Sequence, residues 1–429
     1  RSLRICRRGP PSVLCSSMMF LRLALLLVVP MEALSFVASA ARVRPSLTVR
    51  AVSEGDIASS VDLDQPHKGR GLLKAVPLGV GCASPQCVVT NSDLEGVVET
   101  SDEWIRTRTG ISQRRVLGDY DESSESVANL ATQAAKNALE AAKCDAADLD
   151  LVILCTSSPD DLFGDASTVA RNLGASNAVA FDLTAACSGF LFGTVTASQF
   201  LHNGAFRRAL VIGADALSRW VDWDDRNTCI LFGDGAGAMV LGATETEGQG
   251  GVLGFAMHSD GGGHDQLNLL FKGEPRDLAT PQGTRVVGGS YNAIQMNGRE
   301  VYRFAVSRVP QVLDEALRNA DITVEQVDWL LLHQANIRIM EAVADRLGIP
   351  KEKIITNLSD YGNTSAASIP LALAEAVASG KVKKGDVIAC AGFGAGLSWG
   401  AAIFQWGGDV NADGLLDPFA RAYGPPPQN

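Results

Sequence analysis

The chain has 429 residues, 46 % of them apolar and 20 % charged, the balance of a globular protein with core enough for roughly two to three domains. Its net charge of -11 and the lack of any basic-aromatic stripe exclude a general nucleic-acid binder. Nine cysteines, an odd number with no C-x-x-C pair, fit reduced thiols and argue against a disulfide framework or a cysteine zinc site.

The N-terminal stretch differs from the rest. Residues 1–50 carry eight arginines against one acid, Glu32, so this segment holds +7 and the remainder -18. Met18 or Met19 is the expected start. Phe20-Leu21-Arg22, the apolar run Leu23 to Val29 and the small residues around Ala33 to Ala41 have the layout of a secretory signal. The run is far short of the ~20 residues that a membrane span needs. Arg42, Arg44, Ser46, Thr48 and Arg50, free of acid until Glu54, resemble a plastid transit peptide. Signal plus transit implies a plastid reached through the secretory pathway. The linker Ser53 to Arg70 mixes Gly, Ser, Asp and Pro and is expected to be disordered.

From residue 71 the chain reads as a duplication, with halves over 71–248 and 249–408. Ala141 to Asp150 ends a helix and leads into the apolar run Leu151 to Cys155; Leu317 to Asp328 leads in the same way into Trp329 to His333. Further on, Arg208 to Ala214 corresponds to Asp386 to Gly392. Strands that are apolar without alternation, separated by helices, predict mostly parallel sheets covered on both faces, an α/β class. Functional residues in such sheets gather at strand C-termini.

Three elbows carry the chemistry. Ala180 to Leu183 reads as the end of a buried strand, and Phe190 to Leu201 has helical spacing, which puts Cys187 at the strand-to-helix turn between them. A helix N-terminus lowers a thiol's pKa, and the small Ala185, Ala186, Ser188 and Gly189 let a substrate approach, so a nucleophile is expected here. His333 follows three leucines at a strand's end, and Asn363 lies in Asp360 to Pro370, a turn opening a small-residue helix. Alone, each is the kind of residue a core absorbs. Together, spread over both halves, they indicate an active site.

The motifs then become specific. Thr100-Ser101-Asp102-Glu103-Trp104-Ile105, Thr107 to Ile111, Ala185 to Gly189, Phe232 to Ala238, His333-Gln334-Ala335-Asn336, Tyr361 to Ser365 and Phe393 to Gly400 stand in one order and spacing over residues 72–406. In these the chain resembles the β-ketoacyl-acyl-carrier-protein synthase III family, the initiating condensing enzymes of type II fatty acid synthesis. Asp160 to Gly164 resembles its cyanobacterial and plastid branch. The resemblance implies a thiolase-like fold of two duplicated α/β halves in a five-layered αβαβα core. It implies that Cys187 takes an acetyl group from acetyl-CoA, while His333 and Asn363 hydrogen-bond the malonyl thioester carbonyl as carbon dioxide leaves. Donors placed where charge develops are the expected source of rate. It implies an oxyanion site from the backbone of Cys187 and the loop holding Gly394 and Gly396. Trp104, Arg108 and Arg226 match positions that bind CoA, a substrate, so no cofactor is expected. Leu162 and Phe163 are expected to shape the acyl pocket.

Acidic acyl-carrier protein is the implied partner; Arg303, Arg338 and Arg346 are the candidate cations for docking on an acidic core. A homodimer is implied, with no nucleic acid and no stable membrane association of the mature form. No metal constellation appears in the sequence. Asp409 to Gly414 opens like a calcium loop, but the twelfth position is Ala420, and 409–429 is expected to be a disordered tail. A polyketide-type condensing enzyme uses the same three residues and remains a competing reading. A non-catalytic partner subunit is disfavoured by the retained Cys187, His333 and Asn363. Elongating condensing enzymes with two histidines, and thiolases with a second cysteine, are disfavoured by Asn363.

Overall fold

The computed structural model describes residues 73–118, 126–245 and 250–407. The leader and linker, and the 409–429 tail with its calcium-like stretch, lie outside the described residues.

The chain enters on β1 (Lys74–Ala83), then a two-stranded ribbon of β2 (Cys87–Thr90) and β3 (Gln113–Val116) flanking helix α1 (Asp102–Thr109). Next come α2 (Val127–Ala142), β4 (Leu151–Cys155), α3 (Ala166–Leu173), β5 (Val179–Leu183), α4 (Gly189–His202), β6 (Arg208–Ala216) and β7 (Asp234–Thr244). The second half opens with β8 (Gly251–Ser259). The short β9 (Leu267–Asn268) follows, then the exposed hairpin β10 (Phe271–Asp277) and β11 (Arg285–Tyr291), and β12 (Gln295–Met296), which pairs with β9. After these come α5 (Gly298–Ala320), β13 (Trp329–Leu332), α6 (Ile337–Leu347), β14 (Ile354–Ile355), α7 (Ser368–Ala378), β15 (Val387–Gly394) and β16 (Ser398–Gln405).

Two five-stranded sheets have the orders β1-β7-β6-β4-β5 and β8-β16-β15-β13-β14. In each, the central strand runs parallel to one neighbour and antiparallel to the other, as β6 does with β4 and β7, and β15 with β13 and β16. The duplication is therefore a repeat of topology strand for strand. Helices α4 and α7 lie between the sheets: Phe190, Leu191, Ile369 and Leu371 share one core with Ile153 and Ile388. Being covered by sheet on both sides, these helices are apolar all round. On one outer face Leu130 and Leu139 of α2 and Val169 of α3 cover Val152, Leu154 and Leu210. On the other, Val309 and Leu313 of α5 and Met340 and Val343 of α6 cover Leu330, Leu332 and Ala389. The result is five layers, αβαβα.

Two expectations need correction. The strand before Cys187 is not buried: among the described residues β5 pairs only with β4, so it is a sheet edge, and Val179 at its start is exposed. The correspondence of Arg208 with Asp386 is also one residue out. Leu151 faces Ala209 and Trp329 faces Ile388, so Arg208 stands with Val387. Asp386 is instead a turn residue, accepting from Lys383 N and the Trp329 indole.

Candidate active site

Each half has a tight elbow before its inner helix, following β5 in the first half and the Asn363 loop in the second. Cys187 sits in the single turn Ala186–Ser188 and Ala366 in the turn Ser365–Ala367. The residue before each, Ala186 (φ 48°) and Ser365 (φ 50°), is left-handed, a conformation costing a non-glycine residue about 1–2 kcal/mol. Contacts between the halves hold the strain. A Cβ on Gly213 of β6 would meet Ala366 O at 2.2 Å, and one on Gly392 of β15 would meet Ser188 Cα at 3.3 Å. Each elbow thus sits in a glycine notch of the opposite sheet. The Ser188 hydroxyl also donates to Ser398 O at 3.0 Å.

The side chains converge at the meeting of these elbows. The Ser365 hydroxyl lies 3.4 Å from Cys187 Sγ, and Ser365 N–H donates to Asn363 Oδ1 at 2.9 Å. With Oδ1 so committed, the amide NH₂ of Asn363 is the end left for a substrate oxygen. The Asn363 backbone is clamped between Leu231 O and Gly233 N. Buried Arg114 braces that loop, donating to Ile230 O at 2.7 Å. His333 follows β13, its N–H bonded to Ala391 O at 2.8 Å and its ring edge-on to Phe393 at 5.3 Å. The next residue, Gly394, abuts the nucleophile: a Cβ there would come within 2.7 Å of Cys187 N.

Burial sets the electrostatics. It pushes the Cys187 thiol up to about 12, with the Asp215 carboxylate adding to the rise and the Ser365 hydrogen bond opposing it. The helix terminus expected to lower this pKa supplies at most about 2 kcal/mol, and one pH unit is about 1.4 kcal/mol, so desolvation wins. Burial also pushes His333 down to about 3, so its ring is neutral and carries one donor and one acceptor; Nδ1 is buried with no partner. The arrangement offers a protonated thiol, two neutral side-chain donors and a backbone N–H beside Gly394.

A family model described as 3-oxoacyl-[acyl-carrier-protein (ACP)] synthase III matches residues 181–261, and one for its C-terminal part matches 317–406. A β-ketoacyl-[acyl-carrier-protein] synthase III from Microcystis aeruginosa is 58 % identical over 329 residues, covering 77 % of this chain and 96 % of that protein. The chain belongs to the β-ketoacyl-acyl-carrier-protein synthase III family. Among solved structures, the 3-oxoacyl-[acyl-carrier-protein] synthase III of Aquifex aeolicus is 43 % identical with a TM-score of 0.69, over 77 % of this chain and all of that one. A priming β-ketosynthase of the R1128 polyketide pathway is 34 % identical with a TM-score of 0.70, over 79 % of this chain and 98 % of that one.

The other residues singled out in the sequence fall into groups. Trp104 of α1 carries the guanidinium of Arg108 at 4.2 Å and that of Arg226 at 4.8 Å over its ring, and Arg226 also donates to Glu99 O. Gly396 is exposed and neighbours Ser398, whereas Gly394 alone of the two glycines lies against Cys187. Leu162 and Phe163 are 76 % and 97 % exposed, so within a single chain they line no enclosed pocket. Arg303 pairs with Glu300, Arg338 donates to Thr107 O, and Arg346 donates to Val306 O. Arg303 and Arg308 border an open groove of about 650 Å³ that Leu397 of the β15–β16 turn also lines. Sequence reading missed Ser365 and Asp215. Ser365 lies inside a quoted motif, and its left-handed backbone, the mark of its role, leaves no trace in residue type.

Proposed function

We propose that this chain initiates fatty acid synthesis as a β-ketoacyl-acyl-carrier-protein synthase III. Acetyl-CoA acylates Cys187, malonyl-acyl-carrier protein loses carbon dioxide, and the resulting carbanion attacks the acetyl thioester to give acetoacetyl-acyl-carrier protein. The observation that carries the reading is the contact between the two elbows, where Ser365 links Cys187 to Asn363 and where His333 packs on Phe393, the neighbour of the Gly394 that abuts Cys187 N. Acylation puts negative charge on the acetyl oxygen, where the Cys187 N–H kept clear by Gly394 can receive it. Decarboxylation puts charge on the malonyl thioester oxygen. There the neutral His333 ring and the Asn363 amide act as donors, and burial of both strengthens them.

CoA would enter over Trp104. A flat base needs about 3.5 Å on each side, so one bound between Trp104 and Arg226 must displace the arginine from its 4.8 Å stack. Arg338 and Asn336 tie the start of α6 to the end of α1 through Thr107 O and Arg108 O, which joins one candidate docking cation, Arg338, to the CoA residues. A homodimer would cover the open edge of β5 and the apolar Leu162 and Phe163, and those two side chains would then serve an acyl pocket across the interface. Relatives from Microcystis aeruginosa and Prochlorococcus marinus at 58 and 57 % identity support a plastid origin, which with the basic leader gives plastid targeting as the proposed location. No helix among the described residues is long and apolar enough to cross a membrane.

The test is paired: radiolabel transfer from acetyl-CoA to the protein, and carbon dioxide release from malonyl-acyl-carrier protein. Both should depend on the intact chain, with label at Cys187. Absence of label from a folded enzyme refutes the assignment. Initial rates with acetyl-, propionyl-, isobutyryl- and butyryl-CoA identify the primer and separate this reading from polyketide priming.

A further inference from the structure

The two donors of the decarboxylation step stand on separate elements, yet both must meet one thioester oxygen. His333 follows β13, and Asn363 lies in the loop that leads into α7. A run of hydrogen bonds joins the residues beside them. Gln334, buried next to His333, donates from Nε2 to Leu332 O at 2.6 Å, and its Oε1 accepts from Thr356 Oγ1 (2.9 Å) and Asn357 N (3.3 Å). Asn357 Nδ2 donates to Glu375 Oε2 at 2.8 Å, and the Tyr361 hydroxyl donates to Glu375 Oε1 at 2.8 Å. Glu375 of α7 thus clasps both ends of the segment 357–361, and Asn363 follows two residues on.

We infer that Glu375 is a positioning residue for decarboxylation: through Tyr361 it places the Asn363 amide, and through Asn357 and Gln334 it keeps that amide in register with His333. The inference rests on the roles of His333 and Asn363 proposed above. Glu375 touches no reacting atom in this account; it acts only through the two donors.

The duplication shows where the clasp belongs. Ala366 corresponds to Cys187, so Glu375 corresponds to Thr196 of α4, whose hydroxyl donates to Phe192 O in its own helix. The helix behind the nucleophile's elbow spends this position on itself, whereas the helix behind the Asn363 loop spends it on the loop. Burial raises the pKa of Glu375; its bonds to Tyr361 and Asn357 oppose the rise, as does the Arg115 guanidinium, which stands 5.9 Å over the Tyr361 ring. An ionised carboxylate only accepts, which suits two donors reaching it from the two ends of one segment. From the other side the first half holds the Asn363 backbone, since Asn363 N donates to Leu231 O at 2.8 Å and Gly233 N donates to Asn363 O at 3.0 Å. The clasp therefore governs the last freedom the loop has, its approach from the second half. A misplacement of about 1 Å in a reacting group is worth roughly a hundredfold in rate.

The experiment measures both half-reactions in the full chain: acetyl label transferred from acetyl-CoA, and initial rates of carbon dioxide release from malonyl-acyl-carrier protein. Tyr361→Phe removes one donor from the clasp and keeps the ring. It should lower kcat for carbon dioxide release about tenfold, with KM and acetyl labelling within about twofold of wild type. Glu375→Leu leaves both donors without their acceptor and should lower that kcat about a hundredfold, again with labelling preserved. Glu375→Gln keeps an oxygen for one donor and should recover most of the leucine variant's loss. In an Asn363→Ala background Tyr361→Phe should cost nothing more, because the residue it acts through is gone. A merely structural Glu375 would lower both half-reactions together and would add its loss to that of Asn363→Ala. Either of those results overturns the inference, as does a Tyr361→Phe enzyme that releases carbon dioxide like wild type. If Glu375→Leu does not fold, Tyr361→Phe and the double variant decide the matter. Wild-type enzyme that takes no acetyl label would instead refute the proposed function.

Discussion

The two halves share one strand order and one elbow geometry, yet only one is armed. Where the first has Cys187 the second has Ala366, and where the second has His333 the first has Cys155. At the end of the central strand the contrast is sharper. Asp215 fills the space in front of Ala366 and accepts its N–H, whereas Gly394 has no side chain to occupy the space in front of the Cys187 N–H. The duplicated scaffold has thus been split by role: one elbow is capped by a carboxylate and made structural, the other is left open for a substrate oxygen. The difference teaches that the space in front of the Cys187 N–H, the proposed oxyanion site, is created by a missing side chain as much as by a glycine's backbone freedom.

Cys187→Ala makes the two elbows alike and should have the largest effect, abolishing acetyl labelling altogether, as measured with radiolabelled acetyl-CoA. Asn363→Ala removes the amide donor that stands where the first half has Thr184. It should cost ~3–4 kcal/mol, roughly a hundred- to a thousandfold, in carbon dioxide release while acetyl labelling largely persists. Equal loss in both half-reactions would contradict the division of labour. Gly394→Ala moves the open elbow toward the capped one. Its Cβ would press on Cys187 N and on Ala186 Cβ at 3.1 Å, so loading should fall about tenfold or more and stability by about 1–3 kcal/mol, checked by labelling and thermal melts.

The smallest effect concerns pH. The folded pKa of His333, about 3, lies below its unfolded value, so between these values the unfolded chain binds more protons. Stability contributed by the neutral ring is complete above about pH 6.5 and falls as pH drops, by about 1 kcal/mol near pH 5.5. His333→Gln should remove this contribution from the slope measured in denaturant titrations at pH 5.5 and 7.5, and wild-type decarboxylation should show no His333 inflection between pH 5 and 9.

Most of the scaffold was legible because buried parallel strands and their elbows are local patterns: Leu151 to Cys155, Trp329 to His333 and the helix after Cys187 lie where the residues indicated. Cys187 and His333 lie just past the ends of strands and Asn363 in a turn that opens a helix, the places their motifs indicated. What escaped depends on sums over the whole fold. The thiol's pKa follows from burial by both halves, and the exposure of β5 from the absence of a neighbour on one side. The hidden likeness of Asp215 to Gly394 has a simpler cause. Matching Arg208 with Asp386 sets Asp215 against Phe393, and a slip of one residue in a strand turns every side chain to the wrong face.

The glycine notches also bear on how the chain folds. Ala366 O needs the Gly213 notch and the Cys187 elbow needs Gly392, contacts that span more than a hundred residues in each direction. During synthesis the first half can build its sheet, but its left-handed Ala186 has nothing to hold it until β15 arrives. Long-range contacts of this kind form late and slow the search. The nucleophile's geometry should therefore appear only in the last cooperative step, and a chain halted before β15 would carry Cys187 without a site around it.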